Sequence, residues 1–307
     1  MRKQLLQLLF ACCGTRQKVN QWTDLARPVD YDDPDDVAKG NESSIVFERH
    51  GRALLEWFPQ GMITSSDLGG KFVLDLGCGH GGKTVYYAIS DHISTSPKLV
   101  VGVDIDFSFV REGLKFARFK GAWSASFAQA RAEALPFTSR SFDFIFTHDV
   151  FEHVDNLEWT LKECYRLLKP DGRLFAVFPP YYHPLGAHLH YTKLPCLHWF
   201  FSIELIYEVI QEQYGTNFRL QIINRRTLRE GLNGTTVREF NDILVRSPFK
   251  VHYRCLAPFF SPASSIGKRI RPNLLSRGFV ALLQIFANSP LLQEYFAHRI
   301  VVVLQRI

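Results

Sequence analysis

Three glycines at alternating positions, Gly77, Gly79 and Gly81, follow Asp75 in the run Asp75-Leu76-Gly77-Cys78-Gly79-His80-Gly81-Gly82-Lys83-Thr84. Glycine permits a tight turn and brings backbone N–H groups close to a ligand, so this segment is suited to holding a nucleotide-like molecule. A second carboxylate, Asp104, ends the apolar run Leu99–Val103 and stands 23 positions after Gly81. Behind a glycine loop, a carboxylate at that offset meets ribose hydroxyls. Gly82-Lys83-Thr84 reads as an imperfect echo of a phosphate-binding loop, and no second-strand partner for Mg²⁺ is evident. His148 and His153 follow a further apolar run, and imidazole is the natural proton acceptor near neutrality. Downstream, Tyr181, Tyr182, His183, His188 and His190 crowd one short segment. Aromatic walls with polar tips suit an apolar or aromatic ligand, and a lid packed on the core explains the same residues equally well. His183, His188 and His190 have no carboxylate beside them and no familiar ligand spacing, so no metal site is expected.

These groups need elements to position them. Between Lys71 and Phe178 short apolar runs alternate with helical segments, the pattern of βαβ units feeding a parallel sheet. Strands are predicted at Phe72–Leu76, Leu99–Val103, Phe127–Ala130, Phe142–Thr147 and Leu174–Phe178. An amphipathic helix is predicted from Ser43 to Phe58, ahead of the first strand. The acidic run Asp30–Asp36 is too polar to pack and reads as a solvated linker. It divides a 1–42 extension from a 43–307 domain.

Composition bounds the answer. The 307 residues are 46% hydrophobic and 21% charged, enough for a substantial core. Cys12, Cys13, Cys78, Cys164, Cys196 and Cys255 show no paired spacing, which fits reduced thiols and a cytoplasmic location. The apolar stretch Leu5–Cys13 after Arg2 and Lys3 imitates a signal peptide but is short and interrupted by Gln7, so a surface helix is the expected outcome. The net charge of +6 is not gathered into the long basic block of a nucleic-acid tail.

The acid-led Gly77-Cys78-Gly79-His80-Gly81 loop resembles the first motif of class I methyltransferases, and Val100–Asp106 resembles their second strand. The likeness continues through Ala132–Phe137, through Ser141–Phe146 with His148 and Glu152-His153-Val154, and through Leu167–Leu174. Five motifs in order over about a third of the chain most resemble the small-molecule branch that includes ubiquinone and menaquinone methyltransferases. The resemblance implies an α/β, Rossmann-like, doubly wound seven-stranded sheet, mostly parallel with one antiparallel strand, and S-adenosylmethionine as cofactor. It implies cofactor binding by Asp75, Gly77, Cys78, Gly79 and Gly81 at the methionine end. Asp104 and Ile105 would meet the ribose side, and Ala132, Glu133 and His148 would complete the site. Many relatives carry aspartate where Arg131 stands, so Glu133 is the nearer acid for the adenine amine.

For such a sheet, Phe296–Leu304 is the expected last strand, Thr236-Val237-Arg238-Glu239 has the form of a helix capping box, and Phe249–Tyr253 is the sixth strand. The remaining segments, about 179–235 and 256–295, exceed ordinary connections and are expected to be inserted lids over the acceptor. The second holds Lys268, Arg269, Arg271 and Arg277 before an apolar run, an order suited to peripheral contact with a membrane or a lipid substrate.

Displacement at a sulfonium methyl needs alignment and exclusion of water more than an elaborate catalytic apparatus. If the acceptor is a hydroxyl, His148 and then His153 are the candidate bases. The expected partner is a small-molecule acceptor of aromatic, quinone-like or lipid kind rather than nucleic acid. Phe178-Pro179-Pro180-Tyr181 imitates a base-amine signature but follows the fifth strand and lacks the leading polar residue. A non-catalytic protein that keeps the cofactor pocket for interaction or sensing is the alternative from another class.

Overall fold

The computed structural model describes residues 2–13, 33, 54–89, 95–184, 194, 196–214, 232–259, 261 and 274–307. Its centre is a seven-stranded sheet in the order β3-β2-β1-β4-β5-β7-β6. The strands are β1 (Phe72–Leu76), β2 (Leu99–Asp104), β3 (Ala125–Gln129), β4 (Phe142–His148), β5 (Leu168–Phe178), β6 (Lys250–Pro258) and β7 (Ala297–Gln305). The first five pair in parallel, and β7 lies antiparallel between β5 and β6. The doubly wound, mostly parallel sheet with one antiparallel strand is the architecture that the motifs imply.

Helices α2 (Gly82–Ile89), α3 (Phe107–Phe119), α4 (Leu157–Leu167) and α7 (Val237–Arg246) cover the sheet, while α1 (Arg2–Cys13), α5 (Leu197–Phe200), α6 (Ile203–Tyr214), α8 (Leu274–Asn288) and α9 (Gln293–Phe296) lie outside that core repeat. Alternation along each strand feeds two apolar layers. Val73, Val100, Phe146, Phe175 and Val303 pack with Val85 and Tyr87 of α2 and Phe116 of α3. Their neighbours Leu74, Val101, Ile145, Leu174 and Leu304 face the other way, against Leu161 of α4 and Phe240 of α7.

Most strand bounds shift by a residue or two, and two differ by more. The fifth strand starts at Leu168 rather than Leu174, because Leu168 already pairs with Phe142 before the register shifts at Phe144. The sixth runs on to Pro258, held throughout by β7. The helix predicted from Ser43 is described only from Leu54, and the acidic linker only at Asp33, so most of both lies outside the described residues.

The amino-terminal helix does more than coat the surface. Leu6 and Phe10 are fully buried with Ile206, Val209 and Ile210 of α6. Lys3 Nζ donates to Glu208 at 2.6 Å and to Glu212 at 2.7 Å. Thr236 caps α7 as its capping box predicts: its side chain accepts from Glu239 N, and Glu239 answers from the Thr236 N–H at 2.9 Å.

Candidate functional site

Parallel strands leave their carboxyl ends at one edge, and the order reverses between β1 and β4, where an open α/β sheet forms its crevice. A cleft of about 520 Å³ occupies that edge, lined by residues from the ends of β1, β2, β3 and β4. Gly77, Gly79, Asp104, Ile105, Ala132, Glu133 and His153 line it, as do Asp106, Phe109, Asp149, Val150 and Asp155.

The glycine loop is fixed from beneath by the neighbouring strand. Val103 O accepts from Gly77 N at 2.8 Å and from Cys78 N at 2.9 Å. Asp104 then holds the loop with one carboxylate oxygen, accepting from Gly79 N at 2.9 Å, and its own successor turn with the other, accepting from Asp106 N at 3.0 Å. Gly77 is obligatory for two reasons. Its φ is +74°, and a Cβ there would stand 2.1 Å from Val150 Cγ2. Gly81, at φ +80°, is packed against Gly113 and the Phe127 ring, so it closes α2 on α3 instead of facing the cleft.

Asp75 is completely buried and does not line the cleft. Its carboxylate accepts from Thr84 Oγ1 at 2.7 Å, with Lys83 Nζ 3.8 Å from the other oxygen. Burial pushes its pKa up against the opposing charge of Lys83. Asp75 therefore acts on the loop from behind. Cys78 is also buried outside the cleft, its thiol pushed well above the usual range by burial and by Asp75.

The phosphate-loop reading needs correction. The spacing from Gly77 to Gly82-Lys83-Thr84 satisfies the Gly-x₄-Gly-Lys-Thr pattern in full. What sets it apart is geometry: the largely buried Lys83 donates to Gly77 O at 3.2 Å, and Thr84 is spent on Asp75. Neither side chain is presented to a phosphate.

At the opposite wall, Ile105 is 59% exposed at the end of β2, an apolar surface beside Val103 and Ala132 suited to a flat ring. Glu133 lines this wall, but its Oε1 accepts from Asp155 N at 2.8 Å and Asn156 N at 3.2 Å. Arg131 is paired with Asp155, so the residue that departs from the family pattern ties down the loop after β4. Asp155, itself 71% exposed along its side chain, brings a second carboxylate to the cleft.

The two candidate bases separate. His153 lines the cleft, with Nε2 3.8 Å from Glu152 Oε1. His148 does not; it sits under the edge with Nε2 3.7 Å from Asp149 Oδ2. Sequence reasoning passed over Asp149, whose φ of +57° turns the chain into the cleft and whose carboxylate pairs with Arg299 of β7. It also passed over Asn233, which donates to Phe151 O at 2.7 Å and Val154 O at 3.0 Å and so clamps the same loop from the far end of the first insertion. A left-handed non-glycine residue beside a motif has no signature in composition, and a clamp 80 residues away has none in spacing.

Glu152 is buried among these groups with neither carboxylate oxygen hydrogen-bonded. Burial first, then repulsion from Asp149, pushes its pKa well above the carboxylate range.

Tyr181 and Tyr182 do not line the cleft; they form an aromatic cluster with His198, Trp199 and Tyr295. His183 is buried, its Nδ1 3.4 Å from His298 Nδ1. His188 and His190 lie outside the described residues. Among the described residues no group of three His, Cys, Asp or Glu is placed to hold a metal ion.

Residues 74–176 match the family model for the methyltransferase domain. The chain is 31% identical over 133 residues to a demethylmenaquinone methyltransferase of Lactococcus lactis, covering 43% of this chain and 50% of that one. It is 37% identical over 109 residues to the ubiquinone/menaquinone biosynthesis C-methyltransferase UbiE of Yersinia enterocolitica, covering 35% and 42%. The chain thus spans half or less of the length of these curated relatives. In three dimensions it is similar to an S-adenosylmethionine-dependent methyltransferase from Mesorhizobium loti, with TM-score 0.51 and 16% identity over 83% of this chain and 96% of that one. The likeness to a methyltransferase domain is carried by residues 74–176.

Proposed function

We propose that the protein is an S-adenosylmethionine-dependent methyltransferase acting on a small-molecule acceptor. The observation that carries this reading is the cleft itself, where Asp104 fixes both the glycine loop and the turn after β2 while Ile105, Val103 and Ala132 offer an apolar wall. This set fits the cofactor. The glycines supply close backbone approach, the carboxylate a partner for ribose hydroxyls, and the apolar wall a surface for adenine. The phosphate contacts that a nucleotide triphosphate requires are missing from Lys83 and Thr84.

S-adenosylmethionine supplies, when bound, a methyl group on a positively charged sulfur that leaves as a neutral thioether. The chain's own residues align and shield. Gly77 and Gly79 keep the floor of the cleft free of side chains, and the Glu133 carboxylate with Arg131 holds the loop after β4 over it. His153 is the residue to accept a proton from a hydroxyl or phenol at the cleft, with Glu152 close behind its Nε2. Two of the relatives are named for demethylmenaquinone and for ubiquinone/menaquinone biosynthesis, which supports an aromatic, quinone-like or lipid acceptor here.

Calorimetric titration with S-adenosylmethionine, NAD and ATP in parallel tests the reading. Roughly micromolar affinity for the first alone is expected, weakened about tenfold to a hundredfold by Asp104→Ala with the circular dichroism unchanged. Binding of NAD or ATP in its place would overturn it. Retained binding with no methyl transfer across phenolic, quinone and lipid acceptors would favour the sensing alternative.

A further inference from the structure

Acidic and basic side chains meet where β1 and β4 end beneath the cleft, and among the described residues one carboxylate is left over. Lys83 of α2 belongs to Asp75: its Nζ stands 3.8 Å from Asp75 Oδ1 and donates to Gly77 O at 3.2 Å. Arg299 of β7 belongs to Asp149, with which it forms an ion pair. Glu152 has neither cation to itself. It is 4% exposed, and both of its carboxylate oxygens are buried without a hydrogen-bond partner. Asp149 repels its charge from the same loop, while Arg299 from β7 and Lys83 from α2 attract it through space. His153 stands 3.8 Å away, and His148 at the end of β4 faces Asp149 at 3.7 Å. His298 of β7, held down at about 3 chiefly by burial, is neutral near pH 7.

A buried carboxylate with no cation of its own is costly to keep ionised, so it takes up a proton instead. A positive charge brought to rest beside it, in a site closed to water, reverses that preference. The chain on either side of Glu152 reaches such a site. Asp149, Val150, His153 and Val154 line the cleft together with Gly77, and Val150 packs directly on Gly77.

We propose that Glu152 is the buried counter-charge to the sulfonium of the cofactor: its carboxyl keeps a proton in the free protein and gives it up to solvent when the cationic cofactor binds. The inference rests on the S-adenosylmethionine reading. On binding, the Glu152 O–H bond breaks, the proton passes to bulk water, and a carboxylate is left to balance the positive sulfur. Methyl transfer turns that sulfur into a neutral thioether, and Glu152 then takes a proton back. For a hydroxyl acceptor, the proton handed to His153 has its destination 3.8 Å away. A ligand that releases a proton on binding gains affinity as pH rises, so cofactor affinity climbs with pH while product affinity stays nearly level. The same residue thereby favours cofactor over product at neutral pH.

Calorimetric titration of the full chain with S-adenosylmethionine, in buffers of different ionisation heat, counts the protons released. Between about pH 5.5 and 7.5, roughly 0.3 to 1 proton per bound cofactor is expected, with affinity rising at least about threefold over that range. S-adenosylhomocysteine, which lacks the positive sulfur, should release less than about half as many. Glu152→Gln, neutral and nearly isosteric, should abolish the release and bind the cofactor at every pH as the parent does at the acid end. His153→Gln should keep the release. If Glu152→Gln does not fold, the two ligands compared on the parent still decide. Release that survives in Glu152→Gln, that is lost only in His153→Gln, or that is equal for both ligands overturns the inference. Cofactor binding without proton release overturns it alone, whereas a folded parent that binds no S-adenosylmethionine overturns the cofactor reading and this inference with it.

Discussion

The two sides of the sheet edge are built by different means. Around β1, β2 and β4 the backbone is held by directional bonds: Val103 O and the Asp104 carboxylate take three N–H groups from the glycine loop, and Glu133 takes two from the loop after β4. Beyond Phe178 ring contacts predominate, beside a few directional bonds such as Trp199 Nε1 donating to Tyr182 O at 2.9 Å and Tyr181 N to Thr235 O at 2.9 Å. Tyr181, Tyr182, His198, Trp199 and Tyr295 touch mostly edge to face, and His183 meets His298. Hydrogen-bonded loops have one good geometry, whereas ring contacts tolerate sliding and rotation. The first region is suited to a ligand that does not vary, the second to one that does.

The comparison breaks most visibly at the glycines. Gly77→Ala meets both a left-handed φ and the Val150 methyl, and is expected to cost about 3 kcal/mol of stability and at least a hundredfold in cofactor affinity. At Gly79 the φ is +51° but no atom lies within 4 Å of the added Cβ, so Gly79→Ala should cost about 1 kcal/mol of stability. Equal melting temperatures for the two variants would show that the loop is not over-determined.

Titration sharpens it next. Burial, reinforced by Arg299, holds His298 down at about 3, and burial holds His198 at about 4. Their unfolded forms take up a proton near 6.5, so the stability they contribute is present above that pH and lost as pH falls toward about 4 for His198 and about 3 for His298. On the order of 2 kcal/mol per histidine is expected, removed by His198→Gln or His298→Gln. Glu152 has the opposite sign. Its folded pKa is raised, so its contribution is present below about 4.5, the unfolded value, and declines as pH rises from there. Glu152→Gln should flatten that alkaline slope in urea titrations at pH 5 and 8 and leave the acid slope intact. The smallest effect belongs to neither region: Thr236→Ala removes the α7 cap and should cost about 1 kcal/mol by chemical denaturation without moving cofactor affinity.

The sequence made the first region readable and the second opaque for the same physical reason. Strand β1 was placed to the residue, because Phe72–Leu76 is an apolar run, broken only by Asp75, that ends at a glycine. Asp104, Ile105 and Ala132 fall in the cleft because short βα turns leave little freedom between a strand end and its ligand edge. Within those motifs, local order did not distinguish His148 from His153, five residues apart, since only the turn at Asp149 decides which imidazole faces the cleft. Arg299 and Asn233 were invisible. Each joins the loop after β4 from a distant part of the chain, and nothing in an isolated run of residues records such a meeting.

The place of β7 bears on how the molecule comes off the ribosome. Strand β6 precedes it in the chain yet, among the described residues, pairs only with it, and β7 links β6 to β5. A nascent chain that has emerged through β6 therefore carries an unpaired strand and an open edge on β5, both competent to pair with a neighbour. Only synthesis of Ala297–Gln305 joins them, and the same stroke delivers Arg299 to Asp149. Completion of the sheet and anchoring of the loop beside the cleft are one late event, so premature termination within β7 yields a chain prone to aggregate rather than one with a looser site.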